Sequence, residues 1–162
     1  MKHRGFTLIE MLVVLTIVGI LAAAALPLQE LSLRRAQEQA LREGLRSIRG
    51  ALDAHRAAVE AGRVAPGPDG SPWPASLALL EQGVLLRAAA DADVAAGAPQ
   101  RLYLLRRLPR DPFADPGLPA AETWALRSST SPPDAPEPGR DVFDVRSRSD
   151  RQALDGSAYR TW

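Results

Sequence analysis

From Phe6 to Leu26 the chain reads FTLIEMLVVLTIVGILAAAAL, 21 residues with a single charge, Glu10. Coiled as an α-helix this run is about 31 Å long, the thickness of a bilayer's hydrocarbon core. Lys2, His3 and Arg4 precede it. From Leu28 to Gly62 the pattern becomes amphipathic. Leu41, Leu45, Ile48, Leu52 and Val59 recur at helical spacing, with His55 filling the gap. Arg34, Arg35, Arg42, Arg46, Arg49 and Arg56 lie mostly off that stripe, with Glu38, Glu43, Asp53 and Glu60 between them. Gly62 and Pro66 end the helix. Such a stripe needs an apolar partner, and residues 63–162 supply it. His55, with no Cys, His or acidic partner at ligand spacing, reads as a residue at the edge of that core.

Beyond residue 63 lie 13 of the 14 prolines, and helical periodicity gives way to short elements. Residues 65–74 form a turn-rich loop. Ser76 is placed to cap a short helix whose buried face carries Leu77, Leu80 and Val84, and Gly83 ends it. Residues 88–98 are small and read equally as helix or loop. Residues 101–108 suit a strand or a helical turn. Thr123–Arg127 and Val142–Arg146 read as strands on either side of a proline-rich loop. The terminal Tyr159-Arg160-Thr161-Trp162 is expected to dock on the resulting sheet. The fold class is therefore α+β: a long N-terminal helix, with a membrane half and an amphipathic half, packed on a small antiparallel sheet.

Composition narrows the function. The 162 residues carry 20 basic and 19 acidic side chains, a net charge of +1. This balance excludes a field suited to nucleic acid as the main partner. There is no cysteine, hence no disulfide, cysteine nucleophile or Cys-type zinc site. Asp111 and Asp115 are the nearest approach to an acid–base pair, but no His, Glu or nucleophile accompanies them. An anchored periplasmic enzyme is thus the alternative of another class, without visible chemistry to support it.

The first 28 residues admit a secretory signal peptide cut near Ala22–Ala25, or an ordinary single-span anchor. Neither accounts for Glu10, since a carboxylate in an apolar span costs up to about 3.5 kcal/mol on insertion scales. Gly5-Phe6-Thr7-Leu8-Ile9-Glu10 after a short basic leader resembles the processing site of type IV prepilins and type II secretion pseudopilins. The resemblance implies cleavage between Gly5 and Phe6 by a membrane prepilin peptidase, and N-methylation of Phe6. It divides the chain into a leader (1–5), a transmembrane and filament-core helix (6–27), an amphipathic helix (28–62) and a small periplasmic globular region (63–162). Cleavage leaves an ammonium on Phe6 in or near hydrocarbon. Pairing it with Glu10 of a neighbouring subunit offsets the cost of both charges and fixes one axial register between subunits. Gly19 and the alanines let such helices approach closely. Pro27 marks a kink or local melt near the end of the span, or else a stop at Leu26.

Two further segments carry the resemblance. LRRLPRDPF, followed by Trp124-Ala-Leu-Arg, is similar to the pseudopilin stretch in which a Leu-Pro-x-Asp-Pro-aromatic loop leads into the first sheet strand, the aspartate closing an Asx-turn. Major pseudopilins hold calcium in a loop near the C-terminus. Ser147, Asp150 and Asp155 are the corresponding candidates here, although Arg146, Arg148 and Arg151 interleave them and a hard cation wants net negative oxygen ligands. No other cofactor is implied.

The absence of a cysteine staple leans away from type IVa pilins and towards a pseudopilin, most like the major one. The implied function is a structural subunit of a periplasmic pseudopilus driving type II protein secretion. The alternative within the superfamily is a minor type IV pilus subunit for adhesion or DNA uptake. The implied partners are prepilin peptidase, copies of itself and other pseudopilins in a helical filament, the inner-membrane assembly platform of the secretion system, and the membrane itself. The implied location is a single-pass inner-membrane protein with its N-terminus cytoplasmic.

Overall fold

The computed structural model describes residues 7–87 and 100–162, and for 24–27 the backbone alone. The chain divides into two compact units, Met1–Gln37 and Glu38–Trp162. Helix α1, Leu8–Glu60, contributes to both. Thr7 begins it, its Oγ1 accepting a hydrogen bond from the Glu10 N–H at 3.2 Å, as N-cap threonines do. The helix continues through Pro27 and does not stop at Leu26. In the first unit, side chains 7–23 and 28–36 are exposed.

α1 ends where the sequence places its stop. Gly62 takes φ +70°. The Gly62 N–H donates to Val59 O at 2.9 Å and the Arg63 N–H to Ala58 O at 2.9 Å, the paired bonds of a Schellman cap.

Within the second unit, Leu41, Leu45, Ile48 and Leu52 of α1 pack with Trp73, Leu77, Leu80, Leu108, Trp124, Val142, Val145 and Tyr159. The predicted stripe is the buried one, with one shift at its end: Ala58 is fully buried and Val59 only partly. His55 is buried as expected of a core-edge residue, and its Nδ1 lies 3.0 Å from Pro72 O. Burial pushes the imidazole pKa down, against the opposing pull of that carbonyl.

Helix α2, Ala78–Gln82, buries Leu80, while Leu77 and Val84 on either side of it are buried too. Ser76 does not cap it with its side chain. Leu77 occupies the N-cap position without a side-chain bond, and the Ser76 carbonyl accepts from Leu79 N–H instead. Gly83, at φ +82°, ends the helix. Strand β1 (Val84–Leu85) pairs antiparallel with β2 (Arg101–Leu102), so only the first two residues of 101–108 form a strand. Strand β3 (Trp124–Arg127) pairs antiparallel with β4 (Asp144–Ser147), Trp124 opposite Ser147 and Arg127 opposite Asp144. The small antiparallel sheet of the sequence reading is thus two two-stranded sheets. Residues 88–98 lie outside the described residues.

The C-terminal turn Tyr159–Thr161 docks on α1 as well as beside the sheet. Tyr159 stacks on Phe113, and its hydroxyl donates to Glu38 Oε1 at 2.9 Å. Leu154 N–H donates to the same oxygen at 2.8 Å, so one buried carboxylate on α1 holds two points of the C-terminal segment. The Arg42 guanidinium covers the Trp162 ring.

Asp141 ties three loops together. It is 1% exposed and accepts hydrogen bonds from Ser71 Oγ (2.5 Å), Ser128 Oγ (2.6 Å), Ser129 Oγ (2.6 Å) and Ser129 N–H (2.9 Å). Burial alone pushes its pKa up. The hydrogen bonds from Ser128, Ser129 and Ser71 outweigh that and hold it at about 2, below the ordinary 3.8. A folded-state pKa below the unfolded one contributes stability that is complete above about pH 4 and is lost as pH falls through 3.8 towards 2. Asp141→Ala is expected to cost about 2 kcal/mol at neutral pH and to flatten the loss of stability between pH 4 and 2. Denaturant melts of the detergent-solubilised chain across that range check it, and an unchanged acid limb contradicts the network's role.

Candidate processing and assembly site

The site is built on the first turns of α1. Gly5 and Phe6, the proposed cleavage pair and methylation site, lie outside the described residues. Glu10 sits in the first turn, its backbone tied to Thr7 and its side chain exposed. A carboxylate there is also favoured by the positive end of the helix dipole. Leu8, Ile9, Leu12, Leu15, Ile17, Ile20 and Leu21 are exposed on all sides of the helix. The Thr16 hydroxyl is satisfied internally, donating to Leu12 O at 2.8 Å. Glu10 is thus the one ionisable side chain among the described residues of this span, and it forms no ion pair among them. The span has a mean hydropathy of 2.6, long and apolar enough to cross a membrane. Burying an apolar cylinder with one unpaired carboxylate near its start, in lipid or among like helices, costs free energy that a cation meeting that carboxylate would offset.

Thr7 was not singled out from the sequence, although Thr7-Leu8-Ile9-Glu10 has the S/T-x-x-E spacing of a capping box. The Asp141 network was missed as well. Its serine partners lie 12 to 70 positions away, and no local pattern joins them.

The proline–aspartate loop behaves as expected. Asp111 Oδ1 accepts from Phe113 N–H at 2.8 Å, closing an Asx-turn, and Asp115 Oδ1 does the same for Gly117 N–H at 2.8 Å. Asp111 is buried and its Oδ2 accepts from Ser147 Oγ at 2.6 Å. The two aspartates serve separate turns, an architectural role distinct from acid–base chemistry.

The three calcium candidates are each engaged elsewhere. Ser147 is buried against Asp111, Asp150 faces Arg160 at 3.5 Å, and Asp155 accepts from Ser157 N–H and Oγ with Arg42 at 3.6 Å. The Ser157 bonds, aided by Arg42, pull the Asp155 pKa down against its slight desolvation. Among the described residues no group of three or more His, Asp or Glu is placed to hold a metal ion.

The sequence comparisons agree with this geometry. Residues 1–26 match the prokaryotic N-terminal methylation motif. Type II secretion system core protein G of Klebsiella pneumoniae is 32% identical over 114 residues, 69% of this chain and 70% of that protein. Fimbrial protein EcpB of Eikenella corrodens is 56% identical over 36 residues, 22% of this chain and 23% of its own length. No solved structure matches the chain significantly. A methylation motif on an exposed apolar helix, followed by a small α+β unit, defines a pilin-like protein. With the extent of the match to core protein G, the chain belongs to the type II secretion pseudopilin family.

Proposed function

We propose that this chain is a structural subunit of the pseudopilus that drives type II protein secretion. The relationship to core protein G, extending over 69% of the chain, carries the proposal. The likeness to a fimbrial protein covers 22% and adds nothing that favours a pilus role. In this reading prepilin peptidase cuts after Gly5 and methylates Phe6. The 6–27 segment anchors the chain in the inner membrane with Lys2 and Arg4 on the cytoplasmic side. Residues 63–162 lie in the periplasm. Assembly draws subunits from the membrane through the secretion platform and stacks them with copies and other pseudopilins, Glu10 of each meeting the Phe6 ammonium of a neighbour. Pro27 is the proposed bend of the segment.

Coexpression with a prepilin peptidase tests the processing step. Intact mass is expected to show loss of residues 1–5 and one methyl on Phe6. A mass corresponding to cleavage near Ala24 supports a signal peptide and contradicts the reading. We also propose that Ser147, Asp150 and Asp155 are held by Asp111, Arg160, Ser157 and Arg42 in place of a calcium ion. Calcium added to the chelator-treated full chain in detergent is expected to leave its melting temperature unchanged. A rise of several degrees establishes a calcium site.

A further inference from the structure

Apart from the processing site, the second unit presents a strongly charged groove. It is about 840 Å³ in volume and crosses the outward face of the β3–β4 sheet, between the 133–136 loop and the C-terminal turn. Arg49, Arg127, Arg146, Arg148 and Arg160 line it, against Asp134, Asp144 and Asp150. Arg49 pairs with Asp144 at 2.8 Å, and Arg160 faces Asp150 at 3.5 Å. The other three arginines have no carboxylate partner among the described residues. Arg127 donates to Ser131 O (3.4 Å) and lies over the Phe143 ring, Arg146 donates to Pro136 O (3.3 Å) and Arg148 to Trp124 O (3.0 Å). The Arg127 Nε is buried with no hydrogen-bond partner among the described residues. Three guanidinium groups without a carboxylate partner line one groove, and such groups are suited to bind carboxylates, which Arg engages bidentately.

The spacing narrows the ligand. Arg146 in β4 and Arg148, one residue beyond its end, stand two positions apart and both line the groove. An extended segment with carboxylates two positions apart places them about 7 Å apart on one side, in register with this pair. Of the chain's 19 acidic residues, only Asp91 and Asp93 have that spacing, within an alanine- and glycine-rich stretch. Both lie outside the described residues. We infer that the Arg127–Arg146–Arg148 groove receives the Asp91-Ala92-Asp93 segment of a second copy of this chain in the assembled filament. The inference rests on the assembly reading above and gives that assembly a contact between the second units of neighbouring copies.

The chain has no native cysteine, so introduced thiols are unique. Two full-length chains with different tags, one carrying Ala125→Cys on the groove floor and one Val94→Cys, are coexpressed with the peptidase and secretion platform. Sheared filaments are then treated with a bis-maleimide. A cross-linked dimer containing both tags is expected. Arg146→Glu with Arg148→Glu in the groove chain should reduce it about tenfold, and Asp91→Arg with Asp93→Arg in the other chain should restore it. Restoration shows that the reversed groove still folds. Filaments without the mixed dimer, a dimer indifferent to charge reversal, or a link to a different polypeptide each overturn the inference while leaving assembly standing. Absence of filaments overturns the assembly reading and the inference together.

Discussion

Glu10→Ala is expected to leave processing and membrane insertion intact and to abolish filament growth. The side chain is four residues beyond Phe6 and away from the scissile bond. Its removal takes a charge out of an apolar span, where a carboxylate costs about 2.5–3.5 kcal/mol at the centre and less near an end. The Phe6 ammonium of a neighbouring subunit then enters the filament core without a partner, and an unpaired cation there is penalised on the same scale. A cost above 1.4 kcal/mol per subunit reduces each addition more than about tenfold, and the effect compounds along the filament. Glu10→Asp keeps the charge with a shorter reach and should fall between. The readouts are intact mass for processing, membrane fractionation for insertion, and sheared filament yield for assembly. Wild-type filament yield from Glu10→Ala contradicts charge pairing.

Trp124→Ala is expected to have the largest effect on the second unit. Trp124 is fully buried at the start of β3, and its indole N–H donates to Pro109 O at 2.9 Å. Its ring lies directly over α1, where a Cβ placed on Gly44 would be 3.2 Å from the Trp124 Cη2. Deleting the indole leaves a large void between helix and sheet and an unpaired carbonyl at Pro109. Such substitutions cost about 3–5 kcal/mol, a large share of the 5–15 kcal/mol that holds an ordinary domain folded. A denaturant melt of the solubilised chain should show that loss. A change below about 1 kcal/mol contradicts the placement of Trp124 at the centre of the core.

Much of this architecture is legible in the sequence because its signals are local or periodic. The apolar run with one carboxylate, the 41–45–48–52 stripe, the Gly62 stop and the Asx-turn at Asp111 depend on neighbours within a few positions. Contacts between residues far apart leave no such mark. Glu38 meets Tyr159 across 121 positions, and Asp141 gathers Ser71 and Ser128 from loops that propensity treats as structureless. Ser147 likewise meets Asp111 across 36 positions, whereas Asp155 is held chiefly by Ser157, two positions on. Ser76 fails as a side-chain cap because the helix begins at Ala78 with Leu77 at the N-cap position, one residue later than the cap pattern places it.

The central claim is that this chain polymerises through its exposed N-terminal helix. Its most direct test is electron microscopy of filaments sheared from cells expressing the chain with its peptidase and secretion platform, with mass spectrometry of the same fraction. The account predicts thin filaments composed of chains that begin at N-methylated Phe6. A processed chain that stays dispersed in the membrane, with no filament in the presence of a platform that assembles its own pseudopilin, contradicts it.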